Sequence, residues 1–269
     1  GAIIPSGKVQ IVQNLDGGIV KKIHTHAGAI VDAGDILLEI DNTDAASSLE
    51  ERKQRYFTLL GTTARLEALL EGVEPEFSEE LNEAPKILAG QQALYRTKKE
   101  EIRRANDILE QQVQQKKQEL AEAKGLRSQT QNSWEISKKE YDLTAPLLAQ
   151  GVVSQVELLR LERETNELRS ERDTARLNVP KAESELRESR SRLEETKLRN
   201  ENEMREELGE ARDELNRLNE VLKADVDRVD RTTVRAPVRA EVKQVLVNTV
   251  GGVIQPGMDL VELVPLDDS

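Results

Sequence analysis

The sequence has few of the residues from which a thick globular core is built. Aromatic residues make up 2% of its 269 residues, whereas charged residues make up 33%. Cysteine is absent, which excludes disulfide bonds and thiol chemistry and suits an oxidising compartment. The sequence has no apolar run near the roughly 20 residues that a membrane-spanning helix needs. This composition favours long helices or a coiled coil over a compact globule.

The charge of the chain disfavours some classes of binding partner. The net charge of −12 disfavours nucleic acid and anionic membrane surfaces as ligands. Charges of both signs alternate along the chain, which is typical of solvated helix faces rather than an acidic tail. Such a composition also allows disorder. Regularly spaced leucines, with almost no glycine or proline among them, favour helices over a disordered chain.

The middle of the chain, residues 42–231, predicts three helices at about 43–71, 86–143 and 155–229. A turn at about 144–154 separates the second helix from the third. It contains Pro146 and Gly151, and the third helix begins with a capping box from Ser154 to Glu157. We therefore expect a long antiparallel coiled-coil hairpin. Pro180 lies inside the third helix, where it should kink the helix or remove one hydrogen bond.

The apolar stripe of the third helix shifts by one residue at Met204, after an almost wholly polar stretch. We interpret the shift as a change of packing partner, from the second helix to the first. Trp134 and Tyr141 fall on the stripe of the second helix, and we expect them to lie in the hairpin seam, because large aromatic side chains are usually buried first.

The two ends of the chain, residues 1–41 and 232–269, predict short strands, beginning by about Lys8. They also repeat each other. The 223 positions that separate Gly28 from Gly251 also place Gly34 on Gly257 and, without gaps, Ile19 on Val242. Neither half could bury its apolar face alone, so we expect both to form one β-sandwich. The predicted class is α+β, with the helical hairpin inserted between the two halves.

These half-motifs resemble the biotinyl/lipoyl fold. They are Asp16-Gly17-Gly18-Ile19-Val20 and Val31-Asp32-Ala33-Gly34-Asp35 in the first half, and Val234-Arg235-Ala236-Pro237-Val238 and Gly251-Gly252-Val253 in the second. Split by a long helical hairpin, they resemble the membrane fusion proteins, or periplasmic adaptors, of the HlyD family. The Gly-Gly turn and the three-helix layout resemble the type I secretion branch of that family.

The resemblance implies a function without catalysis and without a cofactor. Members of that family form hexamers, and each bridges an inner-membrane ABC transporter and a TolC-like outer-membrane channel. It also implies a membrane helix before residue 1 and a β-barrel domain after residue 269. We therefore expect a periplasmic protein that is anchored in the inner membrane by a segment outside this sequence.

The turn between the long helices is the candidate contact with the channel. Many family members carry an Arg, a Leu and a Ser there, and Leu147 and Ser154 match the last two, whereas Leu143 occupies the Arg position. Apolar residues on a short turn have little core to fill and more often mark an interface. The candidate contact residues are Leu143, Leu147, Val152, Val153 and Ser154.

Other functions remain alternatives. A drug-efflux adaptor has a similar architecture, and a structural coiled-coil scaffold would have no folded module at the joined ends. A biotin or lipoate carrier would need an exposed Lys between two short strands, where this chain has its helical insertion. His24 and His26 share one face of a strand, but no third ligand is evident, so we expect a surface pair and no metal site.

Overall fold

The computed structural model describes residues 9–266. The chain divides into two compact units. The first comprises the described parts of Gly1–Ala68, Val73–Gln92 and Leu208–Ser269, and the second comprises Leu69–Gly72 and Ala93–Glu207. Lys8, by which a strand was predicted to begin, lies outside the described residues.

Eight strands and three long helices make up the described chain. The helices are α1 Thr43–Glu71, α2 Pro85–Leu148 and α3 Gln155–Asp230, and a short 3-10 helix spans Glu79–Glu83. The strands are β1 Gln10–Asn14, β2 Gly18–Ile23, β3 Ile30–Val31, β4 Ile36–Ile40, β5 Thr233–Arg235, β6 Ala240–Val245, β7 Val253–Ile254 and β8 Met258–Pro265. The predicted α+β class, with three helices between two groups of antiparallel strands, is confirmed.

The strands form two four-stranded sheets, in the orders β1-β8-β6-β3 and β5-β4-β2-β7. Each sheet takes two strands from the first half of the chain and two from the second. The core between them is built from aliphatic side chains, of which Leu37, Leu38, Leu260 and Leu263 are fully buried. Because both sheets mix the halves, neither half has a complete sheet of its own. A coiled-coil scaffold without a folded end module does not predict this sandwich.

The halves repeat in their hydrogen bonds as well as in their residues. Gly28 N–H donates to the carbonyl of Val242 over 2.7 Å, and Gly251 N–H donates to that of Val20 over 2.8 Å. Val20 and Val242 are thus equivalent, and both are buried, whereas Ile19 is 49% exposed. The gap-free alignment of Ile19 with Val242 was wrong by one residue, because successive side chains on a strand point to opposite faces.

Polar contacts join the first β-turn to the end of α3 within the first unit. The buried side chain of Asn14 donates to the carbonyl of Arg231 over 2.9 Å and accepts from the N–H groups of Asp16 and Gly17. The carboxylate of Asp16 accepts from Arg231 Nε over 2.7 Å. Backbone bonding continues beside these contacts, since Ile40 N–H donates to the carbonyl of Thr232 over 2.8 Å. The two chain segments that flank the helical insertion therefore lie side by side.

The link between α1 and α2 is ordered and packed. Leu81 of the 3-10 helix is fully buried in a cluster with Phe57 of α1 and Ala84. The hydroxyl of Ser78 caps this short helix by accepting from Glu80 N–H. Farther along, Gln91 of α2 lies against Gly61 of α1, where an added Cβ would come within 2.7 Å of the Gln91 side chain.

Contacts along α3 support the predicted change of partner. In the second unit Lys197 of α3 pairs with Glu110 of α2 over 3.0 Å. In the first unit Arg212 of α3 pairs with Glu67 of α1 over 2.7 Å. Met204 and Leu208 are both buried, four residues apart, which is where the stripe shifts. The partner of α3 therefore changes between Lys197 and Arg212.

Prolines lie inside both long helices. α2 was expected to end at about residue 143, but it continues through Pro146 to Leu148. A proline in the last turn removes only one hydrogen bond, so α2 continues past Pro146. It ends shortly before Gly151, the next residue that favours helix termination. α3 is continuous past Pro180, which lies on the exposed face, so the carbonyl left without its helical bond is open to water. No helix in residues 9–266 has both the length and the apolar character needed to cross a bilayer.

Candidate functional site

The turn between α2 and α3 closes with a glycine in the left-handed conformation. Gly151 has φ +68°, its N–H donates to the carbonyl of Leu148, and Val152 N–H donates to that of Leu147. These two bonds form a Schellman motif, which satisfies carbonyls at the end of α2. The turn is therefore a defined structure that projects specific side chains.

α3 begins at a side-chain cap. The hydroxyl of Ser154 accepts from Glu157 N–H over 3.2 Å, which is the forward bond of the predicted capping box. The carboxylate of Glu157 accepts from Arg160 Nη2 over 2.8 Å, and this bond lowers the pKa of Glu157. A negative carboxylate in the first turn also favours the helix dipole.

The five predicted contact residues lie together around this turn but differ in exposure. Leu143 and Val152 are 65% and 69% exposed, and Ser154 is also exposed. Leu147 and Val153 are half-buried against the turn. The side chains of the first group are therefore open to solvent, whereas those of the second pack against the turn.

Sequence reasoning missed three exposed apolar residues beside the turn. Ile136, Val156 and Leu159 are 70%, 78% and 56% exposed. The sequence did indicate that Val156 and Leu159 could be exposed, because they lie off the apolar stripe that Leu158 and Leu161 define. Residues 143–156 also contain no charged residue, which is the longest such stretch within residues 42–231. We call these three residues, together with the five predicted ones, the tip surface.

Side chains from both helices hold the hairpin together just below the tip surface. Ser137 of α2 is buried, and its hydroxyl hydrogen bonds to that of Thr165 of α3 over 2.9 Å. The guanidinium of Arg172 stacks 3.9 Å from the centre of the Trp134 ring, which places the predicted seam residue Trp134 in a cation–π contact. Side-chain contacts between α2 and α3 therefore hold the hairpin together close to the turn.

The histidine pair lies on an exposed part of the sandwich. His24 Nε2 contacts Glu39 Oε1 over 2.7 Å, and His26 is exposed. Within residues 9–266, no three His, Cys, Asp or Glu side chains come together in a way that could hold a metal ion.

The hairpin and the chain as a whole are similar to those of known proteins. The family model of the AprE-type long α-helical hairpin matches residues 45–228, about two thirds of the chain. The type I secretion system membrane fusion protein PrsE of Rhizobium meliloti (strain 1021) is 28% identical over 276 residues. The chromosomal hemolysin secretion protein D of Escherichia coli is 24% identical over 287 residues. These alignments cover 98% and 100% of this chain but only 62% and 58% of the relatives, so the chain spans about three fifths of their length.

Among solved structures, the fold is similar to the soluble domain of LipC, a membrane fusion protein of a type I secretion system. The TM-score is 0.85 at 22% identity, covering 96% of this chain and 100% of that one. This likeness shows the fold. The hairpin match shows the family: the chain belongs to the HlyD-type membrane fusion proteins with an AprE-type long α-helical hairpin.

Proposed function

We propose that this chain is the adaptor of a type I secretion system in the periplasm. In this proposal it belongs to a longer protein that is anchored in the inner membrane. It bridges an ABC transporter and a TolC-like outer-membrane channel for protein export, and it works as a homo-hexamer. The transporter hydrolyses ATP, and the adaptor supplies a spacer and a seal without catalysing a reaction.

The observation that carries the proposal is the tip surface. Leu143, Val152 and Val156 are each about two thirds exposed or more, on a turn without charged residues, in a chain of which 33% is charged. Exposed apolar surface of this kind marks a binding site more often than an accident of composition. The helix ends that flank it fit docking onto the helical end of another protein. The names of the relatives, which are secretion membrane fusion proteins, support an export channel as that partner.

Site-specific photo-crosslinking in cells tests the proposal. A crosslinking amino acid replaces Val152 in the full-length protein, in a Gram-negative cell that contains the cognate transporter and channel. The expected product is a covalent adduct with the outer-membrane channel. The same amino acid at Arg190, an exposed position along α3, is the matched control and should not capture the channel.

A charge variant makes the test quantitative. Val152→Glu places an unpaired carboxylate in the apolar contact, so secretion should fall at least about tenfold, which corresponds to about 1.4 kcal/mol. Arg190→Glu should leave secretion unchanged. If secretion is active in the cells and the crosslinker at Val152 captures only other copies of this chain, tip docking is wrong.

A further inference from the structure

The hairpin of the second unit contains two residues that weaken a helix, one in each long helix. Gly125 lies in the interior of α2, and Pro180 lies in the interior of α3. The sequence has no other glycine or proline in residues 93–143 or in residues 155–207. Both helices are therefore built from good helix-forming residues apart from one position in each.

Pro180 removes a hydrogen bond from α3. It has no N–H group, so the carbonyl of Arg176 receives no helical bond from it, and the proline ring also crowds that carbonyl. Proline is among the common causes of bending in long helices. Arg176 and Pro180 are both exposed, so water can bond to the carbonyl when the helix bends. Bending of α3 at this point therefore leaves no polar group unpaired in the interior.

Gly125 weakens α2 for a different reason. Glycine loses more backbone freedom than any other residue when it becomes helical, so it favours the helix less than alanine does. No atom lies within 4 Å of the place where a Cβ of Gly125 would be, so packing does not require a glycine there. The surrounding α2 helix is regular, so its backbone does not require one either. What Gly125 contributes is a helix that deforms more easily.

Gly125 and Pro180 lie at nearly the same level along the hairpin. The hydrogen bond between Ser137 and Thr165 sets the register of α2 against α3. Gly125 lies 12 residues before Ser137, and Pro180 lies 15 residues after Thr165. The difference of three residues corresponds to about 4.5 Å along a helix. Weak points at different levels would each be braced by an intact facing helix, whereas these two coincide. We call this level the mid-hairpin level.

The seam between the helices is thin at the mid-hairpin level. Its side chains are Ala123 of α2 and Ala175, Val179 and Ala182 of α3, none of which is larger than valine. On α2, all six residues from 124 to 129 are exposed, so more than one turn of that helix buries no side chain. Hydrophobic stabilisation scales with the apolar area removed from water. The helices therefore stabilise each other less here than where large side chains meet.

Larger contacts hold the helices together on both sides of the mid-hairpin level. Toward the turn, the guanidinium of Arg172 stacks 3.9 Å from the centre of the Trp134 ring. In the other direction Leu186 is buried, and Lys116 of α2 pairs with Glu185 of α3 over 2.9 Å. The mid-hairpin level is thus a weak segment between two segments that are held by side chains from both helices.

We propose that Gly125 and Pro180 together form a joint at which the hairpin bends. The outer segment, residues 126–179, then moves as one body relative to the rest of the second unit. About 23 residues of α2, or ~35 Å, separate the joint from the turn, so a bend of about 10° moves the tip surface by ~6 Å. The joint therefore reorients the tip surface without changing the contacts that shape the turn. It does not depend on which partner the tip surface binds.

Distances between pairs of spin labels, measured by pulsed electron paramagnetic resonance, test the joint in the purified full-length protein. This sequence has no cysteine, and any cysteine elsewhere in the protein is replaced by serine. Labels at Glu167→Cys and Arg187→Cys span the joint along α3. The control pair, Thr97→Cys and Lys117→Cys, lies on α2 away from it. All four positions are exposed, and each pair is 20 residues apart, so the labels themselves contribute equally. We expect a distance distribution at least about twice as wide across the joint.

A variant without the joint decides whether the two residues cause the bending. Gly125→Ala combined with Pro180→Ala restores the missing N–H and stiffens α2, so the distribution across the joint should narrow to the width of the control pair. Ser128→Ala combined with Lys181→Ala, at neighbouring exposed positions, should leave it wide.

Two results would overturn the joint: equal widths for the two label pairs in the parent protein, or a width across the joint that the Gly125 and Pro180 substitutions leave unchanged. The measurement needs neither transporter nor channel. A negative result would therefore leave the adaptor function standing, and a failure of tip docking would leave the joint standing.

Discussion

Polar side chains also contribute to the seam of the hairpin. Arg172 stacks on Trp134 and bonds to Asp173 over 2.6 Å. Its side chain is 15% exposed. Burying a guanidinium is favourable only where its charge and its planar face both find partners, and here they do.

Replacing Arg172 should weaken the second unit measurably. Arg172→Ala removes the cation–π contact, and we expect a loss of about 1–2 kcal/mol in the free energy of unfolding. Trp134 is the single tryptophan, so its emission reports the change directly. Urea unfolding followed by fluorescence and circular dichroism gives the measurement. Arg176→Ala, at an exposed position one turn away, should change neither signal, and an equal effect from both would contradict the assignment.

Hydrogen bonds from two arginines change the acidity of Glu100 in α2. Hydrogen bonds from Arg103 and Arg104 lower the pKa of its carboxyl from 4.5 to about 2. Because the folded-state pKa is lowered, the pair stabilises the helix above pH 4.5, and this stabilisation is lost as the pH falls from 4.5 through about 2. The side chain of Glu100 is 40% exposed, so water screens the interaction and its effect on stability is small.

An NMR titration of the Glu100 carboxyl checks this assignment. Arg103→Gln and Arg104→Gln should each raise the pKa of Glu100 toward its ordinary value, with the larger rise for Arg103, whose hydrogen bond is the leading cause. Lys117→Gln, farther along α2, should leave that pKa unchanged. A pKa near 4.5 for Glu100 in the unaltered protein would show that the pair is not formed.

At the scale of an element, glycines decide where the helices end. α1 ends before Gly72 and α2 before Gly151, at φ +72° and +68°. Val73 N–H donates to the carbonyl of Ala68, as Val152 N–H does to that of Leu147. Both ends are therefore built in the same way, and prolines nearby are tolerated. Gly125, by contrast, lies in the interior of α2 with open space where a Cβ would be.

Alanine at these two glycines should have opposite effects on the second unit. Gly151→Ala forces a Cβ into the left-handed conformation and should cost about 1–2 kcal/mol. Gly125→Ala should stabilise the helix by about 0.5–1 kcal/mol, because it removes backbone freedom from the unfolded chain. Thermal unfolding of the two variants and the parent is the measurement. Equal shifts of the same sign would contradict the role of Gly151.

At the scale of the molecule, the sandwich is a single structure made from both ends of the chain. Each of its two sheets takes two strands from each half, and the halves meet where Ile40 bonds to Thr232. A helical insertion of any length can leave this junction without disturbing the sheets. The insertion carries the tip surface, and the two halves of the sandwich lie on either side of it in the sequence.

Joining the two ends directly should therefore preserve the sandwich. Residues 9–41 linked to 232–266 by a short Gly-Ser segment should show strand-type circular dichroism and dispersed amide signals. Either half alone should be unfolded, because each would leave an incomplete sheet and an uncovered core. Mixing the separate halves is the control for association without a link. A folded single half would overturn this account of the sandwich.

The sequence by itself determined the periodic and repeated features. Helix stripes follow from the spacing of leucine and alanine, and the repeat follows from glycines such as Gly28 and Gly251 that few other residues could replace. The one-residue shift in the apolar stripe of α3 at Met204 could be predicted for the same reason, because it follows from residue spacing. These are local properties, because each depends on residues within one turn of helix or one strand.

Tertiary structure alone decided which apolar residues remain exposed. The one-residue gap beside Val20, the end of α2 after Pro146, and the exposure of Val156, Leu177 and Leu198 depend on contacts between distant segments. From sequence alone, a leucine in an apolar stripe cannot be distinguished from a leucine beside it. Packing between helices decides which of the two is buried. Leu143, Val152 and Val156 of the tip surface are apolar side chains that packing left uncovered.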